Sequence, residues 1–319
     1  MNIYHAPLEG VTDAIYRRVH HECFGGITKY YIPFICPTMH MVFTPREKRA
    51  ISRENNAGVP AVPQVLTKNA EHFIWAANSM RDEGYGEINL NIGCPSGTVT
   101  AKGKGAGMLR DPDALRKFLD EIFARSPICI SIKTRVGYAA PDEWPRLLEI
   151  FSDYPVHELI VHPRTREEFY SGTPRRELFR DALAEYRAPL VYNGDLVSTD
   201  QCRAFMESCP GTAALMLGRG LITNPAVARE LNGGAALTPE ALRSFHDRLY
   251  SAYAAQLPKN AVLGRMHEIM QYIACGFEDC AKALKAIRKA ATLTAYEDAA
   301  DRLFSDYKMC ESPCFHPAK

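Results

Sequence analysis

The sequence predicts an α/β fold, a (β/α)8 barrel followed by a small all-helical C-terminal domain, on three observations. Eight strand-like runs, at 3–7, 27–35, 61–66, 87–92, 129–136, 157–161, 190–193 and 213–217, alternate with helical stretches. Polar, charged and glycine residues gather at the ends of nearly every run, which favours a barrel over its alternative, a doubly wound sheet. After Asn232-Gly233-Gly234 the strand signal disappears. The barrel is therefore assigned to 1–232 and the helical domain to 238–308. A tail at 309–319, with two prolines and no period, is expected to be loosely ordered. A chain of 319 residues is long enough for both domains.

The first strand ends in Ala6-Pro7-Leu8-Glu9-Gly10, and Thr12-Asp13 opens a helix over 12–23. The third ends near Gln64, before a helix over 69–83. In the fourth, Ile88, Leu90 and Ile92 share one face and Asn89 and Asn91 the other. Inward asparagines are costly unless polar groups meet them. Gly93 turns the chain, presents Cys94, and Pro95 stops the strand. The run 97–107 holds four glycines with Lys102 and Lys104, and reads as a mobile loop able to meet an anion. Asp111-Pro112 caps a helix over 112–124.

In the fifth strand Ser131, Lys133 and Arg135 alternate with Ile130, Ile132 and Thr134. Lysine is almost never fully buried unpaired, so Lys133 reads as functional. His162 and Arg164 follow the sixth strand, before a helix over 177–186. The seventh ends in Asn193-Gly194-Asp195, and Ser198-Thr199-Asp200-Gln201 reads as a capping box for a helix over 199–207. The eighth ends in Gly218-Arg219-Gly220, with a helix start at Asn224-Pro225. Barrels commonly hold a phosphate on these last two loops. Thr238-Pro239-Glu240 opens the helical domain. There Lys282, Lys285, Arg288 and Lys289 fall on one side of a helix, and Leu284, Ile287 and Ala291 on another.

Composition narrows the classes. Lys plus Arg total 38 against 37 Asp plus Glu, so any nucleic-acid surface must be a local patch. The 10 cysteines are scattered through a chain that needs no disulfide staples, and reduced thiols are expected. Cys310 and Cys314 have no second pair of suitable spacing, so no metal site is expected. Residues 1–6 lack the basic and apolar regions of a signal peptide, and no apolar run approaches the ~18 residues of a membrane span. A cytoplasmic protein is expected.

The strand ends together describe a pocket with a phosphate clamp, a deeper cation, a histidine and several amides, which FMN fits. Its phosphate would sit on the seventh and eighth loops. Lys133 would lie near the N1/O2 edge, Gln64 would address the pyrimidine edge, and Cys94 would face whatever stacks on the flavin.

At this point the chain resembles the tRNA-dihydrouridine synthases, flavoenzymes that reduce uridine in RNA. The resemblance rests on Ala6-Pro7-Leu8-Glu9-Gly10-Val11-Thr12-Asp13, Asn91-Ile92-Gly93-Cys94-Pro95, Lys133-Thr134-Arg135-Val136-Gly137, His162-Pro163-Arg164-Thr165 with Tyr170-Ser171-Gly172, Asn193-Gly194-Asp195 and Gly218-Arg219-Gly220. These motifs stand in order over nearly the whole chain. The resemblance implies that Cys94 is the proton donor. It implies FMN held by Pro7, Leu8, Glu9, Gln64, Lys133, His162, Asn193, Gly194, Asp195, Gly218 and Arg219. Asn91 would position the uracil. Arg164, Lys102, Lys104 and the basic helix would meet RNA, tRNA foremost. NADPH would reduce the flavin in the same pocket, since no dinucleotide fingerprint is present. Leu8 stands where the family usually has methionine, and Glu168 where it often has glutamine.

The expected chemistry is hydride addition to C6 of a flipped uridine and protonation of C5 by Cys94. A thiol, with an ordinary pKa of about 8.5, is mostly protonated at neutral pH and suits the acid's role. Two alternatives stand beside it. One is an FMN barrel acting on a small molecule, like a dihydroorotate dehydrogenase or an ene reductase, against which the basic helical domain argues. The other is a catalytically silent RNA-binding relative, against which Cys94, Lys133 and His162 argue.

Overall fold

The computed structural model describes residues 1–315. Nine parallel strand segments form one sheet. They are β1 (Ile3–His5), β2 (Lys29–Tyr31), β3 (Ala61–Val62), β4 (Gln64–Val65), β5 (Glu87–Ile92), β6 (Cys129–Gly137), β7 (Leu159–Thr165), β8 (Leu190–Tyr192) and β9 (Ala214–Leu217). Their order is β3-β2-β1-β9-β8-β7-β6-β5-β4. The two ends of that order, β3 and β4, are one extended run parted by Pro63, which has no N–H for a ladder. The Val62 carbonyl accepts from Ile32 on one side and the Pro63 carbonyl from Asn89 on the other, both at 2.9 Å. The sheet thus closes into an eight-staved TIM barrel, as the sequence predicts.

Prolines account for the main differences in strand length. β1 and β2 stop short of Pro7 and Pro33, and the second run returns only as a bridge between Ile35 and Val65. β7 is longer than expected, so His162 and Arg164 stand on the strand, and its register to β6 shifts between Arg135 and Gly137. Helix starts follow their caps. Asp13, Asn69, Asp111 and Thr238 each accept an N–H from the first turn of the helices Ala14–Phe24, Ala70–Asp82, Pro112–Arg125 and Pro239–Ala254. The box at Ser198 is only half formed. Ser198 accepts from Gln201 N–H, but Gln201 reaches back to Val197 N–H at 2.9 Å. The full box is Thr44 with Glu47, capping Pro45–Ile51.

The glycine run after Cys94 is not a mobile loop. It folds into the helical turn Gly97–Thr100 and the 3-10 helix Gly105–Arg110, in which Gly105 to Leu109 are buried. The glycines serve close packing. A Cβ on Gly107 would lie 2.8 Å from the Thr100 carbonyl oxygen, and one on Gly105 would lie 2.9 Å from that of Cys94.

Four longer helices follow the barrel: Pro239–Ala254, Lys259–Ile273, Ala281–Lys289 and Leu293–Asp306. They share an apolar core with the first barrel helix, where Tyr16, Val19 and Phe24 meet Phe245, Leu249 and Met266. Residues 309–315, expected as a loose tail, pack against this layer. Cys310 N–H donates to the Gly276 carbonyl at 2.8 Å, and Phe315 lies 5.8 Å from Tyr272 between ring centroids. Residues 316–319 of the expected tail lie outside the described residues.

Candidate active site

The C-terminal ends of the strands open into a cavity of about 490 Å³. Cys94 and Asn91 line it, as do all of the expected cofactor residues: Pro7, Leu8, Glu9, Gln64, Lys133, His162, Asn193, Gly194, Asp195, Gly218 and Arg219. A larger cleft of about 1010 Å³ lies between the first barrel helix and the helical layer, but its main charges are already paired, Arg243 with Asp247 and Arg248 with Glu22.

The inward asparagines find their polar partners on β4 and β6, with Gln64 bridging the two. Gln64 Nε2 donates to Asn89 Oδ1, Asn89 Nδ2 to Ser131 Oγ, and Asn91 Nδ2 to Gln64 Oε1, each at 2.8 Å. Ser131 in turn donates to Glu87, which pairs with Lys29 at 2.7 Å in the barrel floor. At the upper end Asn91 Oδ1 accepts from Gly93 N–H (3.1 Å) and Cys94 N–H (2.9 Å). A continuous run of hydrogen bonds therefore fixes the backbone that carries Cys94. Asn91, expected at the substrate, spends its oxygen on that turn. Arg135 Nε grips the Gly93 carbonyl at 3.0 Å, and Ala106 N–H donates to the Cys94 carbonyl at 3.1 Å.

Lys133 stands beside Asn91 in the β5–β6 register. Its ammonium takes part in no hydrogen bond or ion pair among the described residues. Burial, and then repulsion from Arg135, push its pKa down to about 7, against a smaller opposing pull from Cys94. His162 is buried, and its Nε2 lies 3.1 Å from Arg164 Nη1. Arginine only donates, so Nε2 accepts and Nδ1 carries the ring proton. Burial first, then Arg135, Lys133, Arg164 and Arg219, hold the imidazole well below its usual pKa and therefore neutral.

Arg164, expected to meet RNA, is instead 1% exposed. Its donors are taken by His162, the Ser171 and Gly172 carbonyls and Asp195. It positions its neighbours and has no free face. Asp195 accepts from Arg219 as well, at 3.0 Å, so its carboxylate braces the cation at the cavity mouth. The helix that starts at this strand end is Arg219–Thr223; Asn224 and Pro225 lie beyond the cavity lining. Glu168, where the sequence departs from the resembled pattern, ties the 165–175 loop together. Burial opposes its charge, but Thr165 N–H and Arg175 hold its carboxyl below the usual range.

Lys102 is exposed and Lys104 half-buried on the turns behind Cys94, outside the cavity lining. Lys282, Lys285, Arg288 and Lys289 are all exposed on Ala281–Lys289. Its inner face is Ala283 and Ile287, while Ala291 lies past the helix end. The cavity also takes in residues that sequence reasoning left unassigned. Arg135 was visible in the β6 alternation and Tyr170 in its motif. Pro33, Phe34 and Tyr272 gave no local signal, because tertiary packing brings them there.

The dihydrouridine synthase (Dus) family model matches residues 4–308. The tRNA-dihydrouridine synthase B of Escherichia coli strain K12 is 25% identical over 257 residues, 79% of this chain and 78% of that protein. That of Pasteurella multocida strain Pm70 is 24% identical over 224 residues, 70% of this chain and 66% of that protein, just under two thirds of its length. Among solved structures, morphinone reductase superposes with a TM-score of 0.54 at 12% identity, covering 75% of this chain and 87% of that one. The old yellow enzyme homologue from Zymomonas mobilis gives 0.53 at 13% identity, covering 74% and 90%. These two share the barrel fold. With the family match running from β1 to the end of the helical layer, the chain belongs to the dihydrouridine synthase family.

Proposed function

We propose that this protein reduces uridines of RNA, tRNA foremost, to 5,6-dihydrouridine, with FMN as resident cofactor and NADPH as reductant. The observation that carries the reading is one cavity holding a cation, Lys133, with no partner among the described residues, together with a rigidly held thiol, Cys94, in a chain of this family.

The residues present fit FMN. The Lys133 ammonium has no partner among the described residues, His162 keeps an Nδ1–H for the cavity, and Arg219 stands braced beside the Gly194 and Gly218 turns. FMN, when bound, supplies the hydride that uracil takes at C6. Lys133 and His162 offer positive potential and an N–H to the polar edge of the ring. Arg219 offers a cation to the phosphate. Asn91 and the Gly105 turn fix Cys94, whose Sγ holds the proton that C5 receives. The uridine reaches this depth only by leaving its stack. Exposed Lys102, Lys282, Lys285, Arg288 and Lys289 provide phosphate contacts, which supports RNA over a small molecule.

The test is to incubate pure protein with NADPH and unmodified tRNA transcript and map dihydrouridine by mass spectrometry. Dihydrouridine at defined positions is expected. Transcripts returned unmodified by FMN-loaded protein would overturn the reading.

A further inference from the structure

Six large apolar side chains are exposed among the described residues: Met1, Met39, Met41, Val42, Phe169 and Tyr170. Apart from Met1 they fall on two loops, one after β2 and one after β7, both at the C-terminal end of the barrel. The β2 loop joins the cavity through Pro33 and Phe34, and the β7 loop through Tyr170. Exposed apolar surface gathered on two loops that each contribute lining to the same cavity marks a contact site, not background.

The β2 loop is also held in an unfavourable backbone shape. Met41 has φ +51° and Phe169 on the opposite loop also has φ +51°, a left-handed conformation that large side chains rarely adopt. At the β2 loop the surroundings enforce it. Met41 N–H donates to the Thr38 carbonyl at 2.9 Å, Phe43 packs on Trp75 with ring centroids 4.4 Å apart, and Thr44 caps the following helix. The result is an anchored turn that leaves Met39 87% exposed and Val42 52% exposed. Cations stand at its base: Arg46, paired with Glu9, and Arg49, which has no ion pair among the described residues. An apolar tip on a basic base matches a nucleic-acid strand, whose stacked bases are apolar and whose backbone is anionic.

We propose that Met39, Met41 and Val42 form a wedge that stacks into the RNA beside the extruded uridine and holds its neighbours apart. The inference rests on the RNA-reducing reading above. Pulling a base from its stack costs energy, and an apolar filler offsets part of it.

The test compares the parent with the triple variant Met39→Ser, Met41→Gly, Val42→Ser, using FMN-loaded protein. The kcat/KM for dihydrouridine formation in folded tRNA transcript is expected to fall about tenfold, the loss of one good stacking contact. A short single-stranded oligonucleotide carrying the uridine has no stack to open, so both proteins should reduce it equally. Flavin reduction by NADPH should not change. A transcript with 2-aminopurine beside the target should brighten on binding the parent and much less on binding the variant. Equal kcat/KM on the folded transcript would overturn the wedge, as would an equal loss on both RNAs. A variant altered only in self-association would make the patch a contact between copies and overturn it too. A parent inactive on every RNA would remove the reading beneath it, an outcome distinct from an active parent with an unaffected variant.

Discussion

Lys133 carries a positive charge into a place where no carboxylate among the described residues pairs with it, and this gives the site a pH signature. In the free protein its pKa is pushed down to about 7 by burial and by Arg135. A bound electron-rich edge raises that value, so binding takes up a proton wherever the free lysine is neutral. FMN affinity for the apoprotein should therefore fall as pH rises from about 7 to 9, by up to about tenfold per unit. Lys133→Met should bind more weakly at pH 7 and lose the slope, as followed by absorbance titration. A parent affinity flat across this range would show that the ammonium takes no part. Cys94 makes the complementary case. Cys94→Ala should keep FMN and its reduction by NADPH, because neither needs a proton at C5. Reoxidation of the reduced protein by tRNA should slow about 10²–10⁴-fold, the usual cost of losing a positioned acid. Parent-like reoxidation, measured by anaerobic rapid mixing, would make Cys94 a structural residue.

Among the elements, the turns behind Cys94 show where sequence is a poor guide. Gly97, Gly103, Gly105 and Gly107 look alike in the sequence whether they serve motion or contact. Here Gly105 has φ +56°, and a Cβ there would meet Cys94 Cβ at 3.1 Å as well as its carbonyl oxygen. Gly105→Ala should thus push the thiol out of place. It should keep FMN binding, lower the tRNA-dependent step by at least tenfold, and cost about 1–3 kcal/mol of stability from overpacking. Thermal melts with and without FMN, beside the reoxidation assay, separate the two effects; parent-like values in both would mean that the turn gives way freely. The strands were far more legible. Period-two alternation shows which side chains of β5 and β6 face inward, so Asn91 and Lys133 are found from spacing, and Arg135 shares their face without having been assigned a role. Arg164 was not, because a motif arginine looks the same whether it meets RNA or bonds four groups of its own chain. Tyr272 reaches the cavity from Lys259–Ile273, a contact that exists only once the helical layer has docked.

For the molecule as a whole, the seam between barrel and helical layer predicts how it fails in acid. Ala14–Phe24 packs under Pro239–Ala254, and on its inner face His20 lies 5.5 Å from His5 of β1, among Tyr16, Tyr30 and Phe245. His5 Nδ1 bonds the Ala6 carbonyl at 2.9 Å and His20 Nδ1 the Tyr30 hydroxyl at 2.8 Å. Burial, with Arg17 nearby, pushes the pKa of His5 down to about 4, and burial with His5 pushes His20 well below its usual value. Both are thus neutral in the fold but ionise near 6.5 once unfolded. Below that pH the unfolded chain binds more protons, so the stability present above pH 6.5 drains away as pH falls. For His5 the loss runs from about pH 6.5 to about 4, at up to about 1.4 kcal/mol per pH unit. Urea unfolding across this window should show the slope, and His5→Gln should reduce it by about one proton's worth whatever it does to stability at pH 7. The first native contacts to go should be those between barrel and helices, since the charges would form at that seam. Tyr272 would then leave the cavity before the barrel opens, and RNA reduction should be lost at a higher pH than the far-ultraviolet helical signal. Coincident loss of the two would show that barrel and helical layer unfold as one unit.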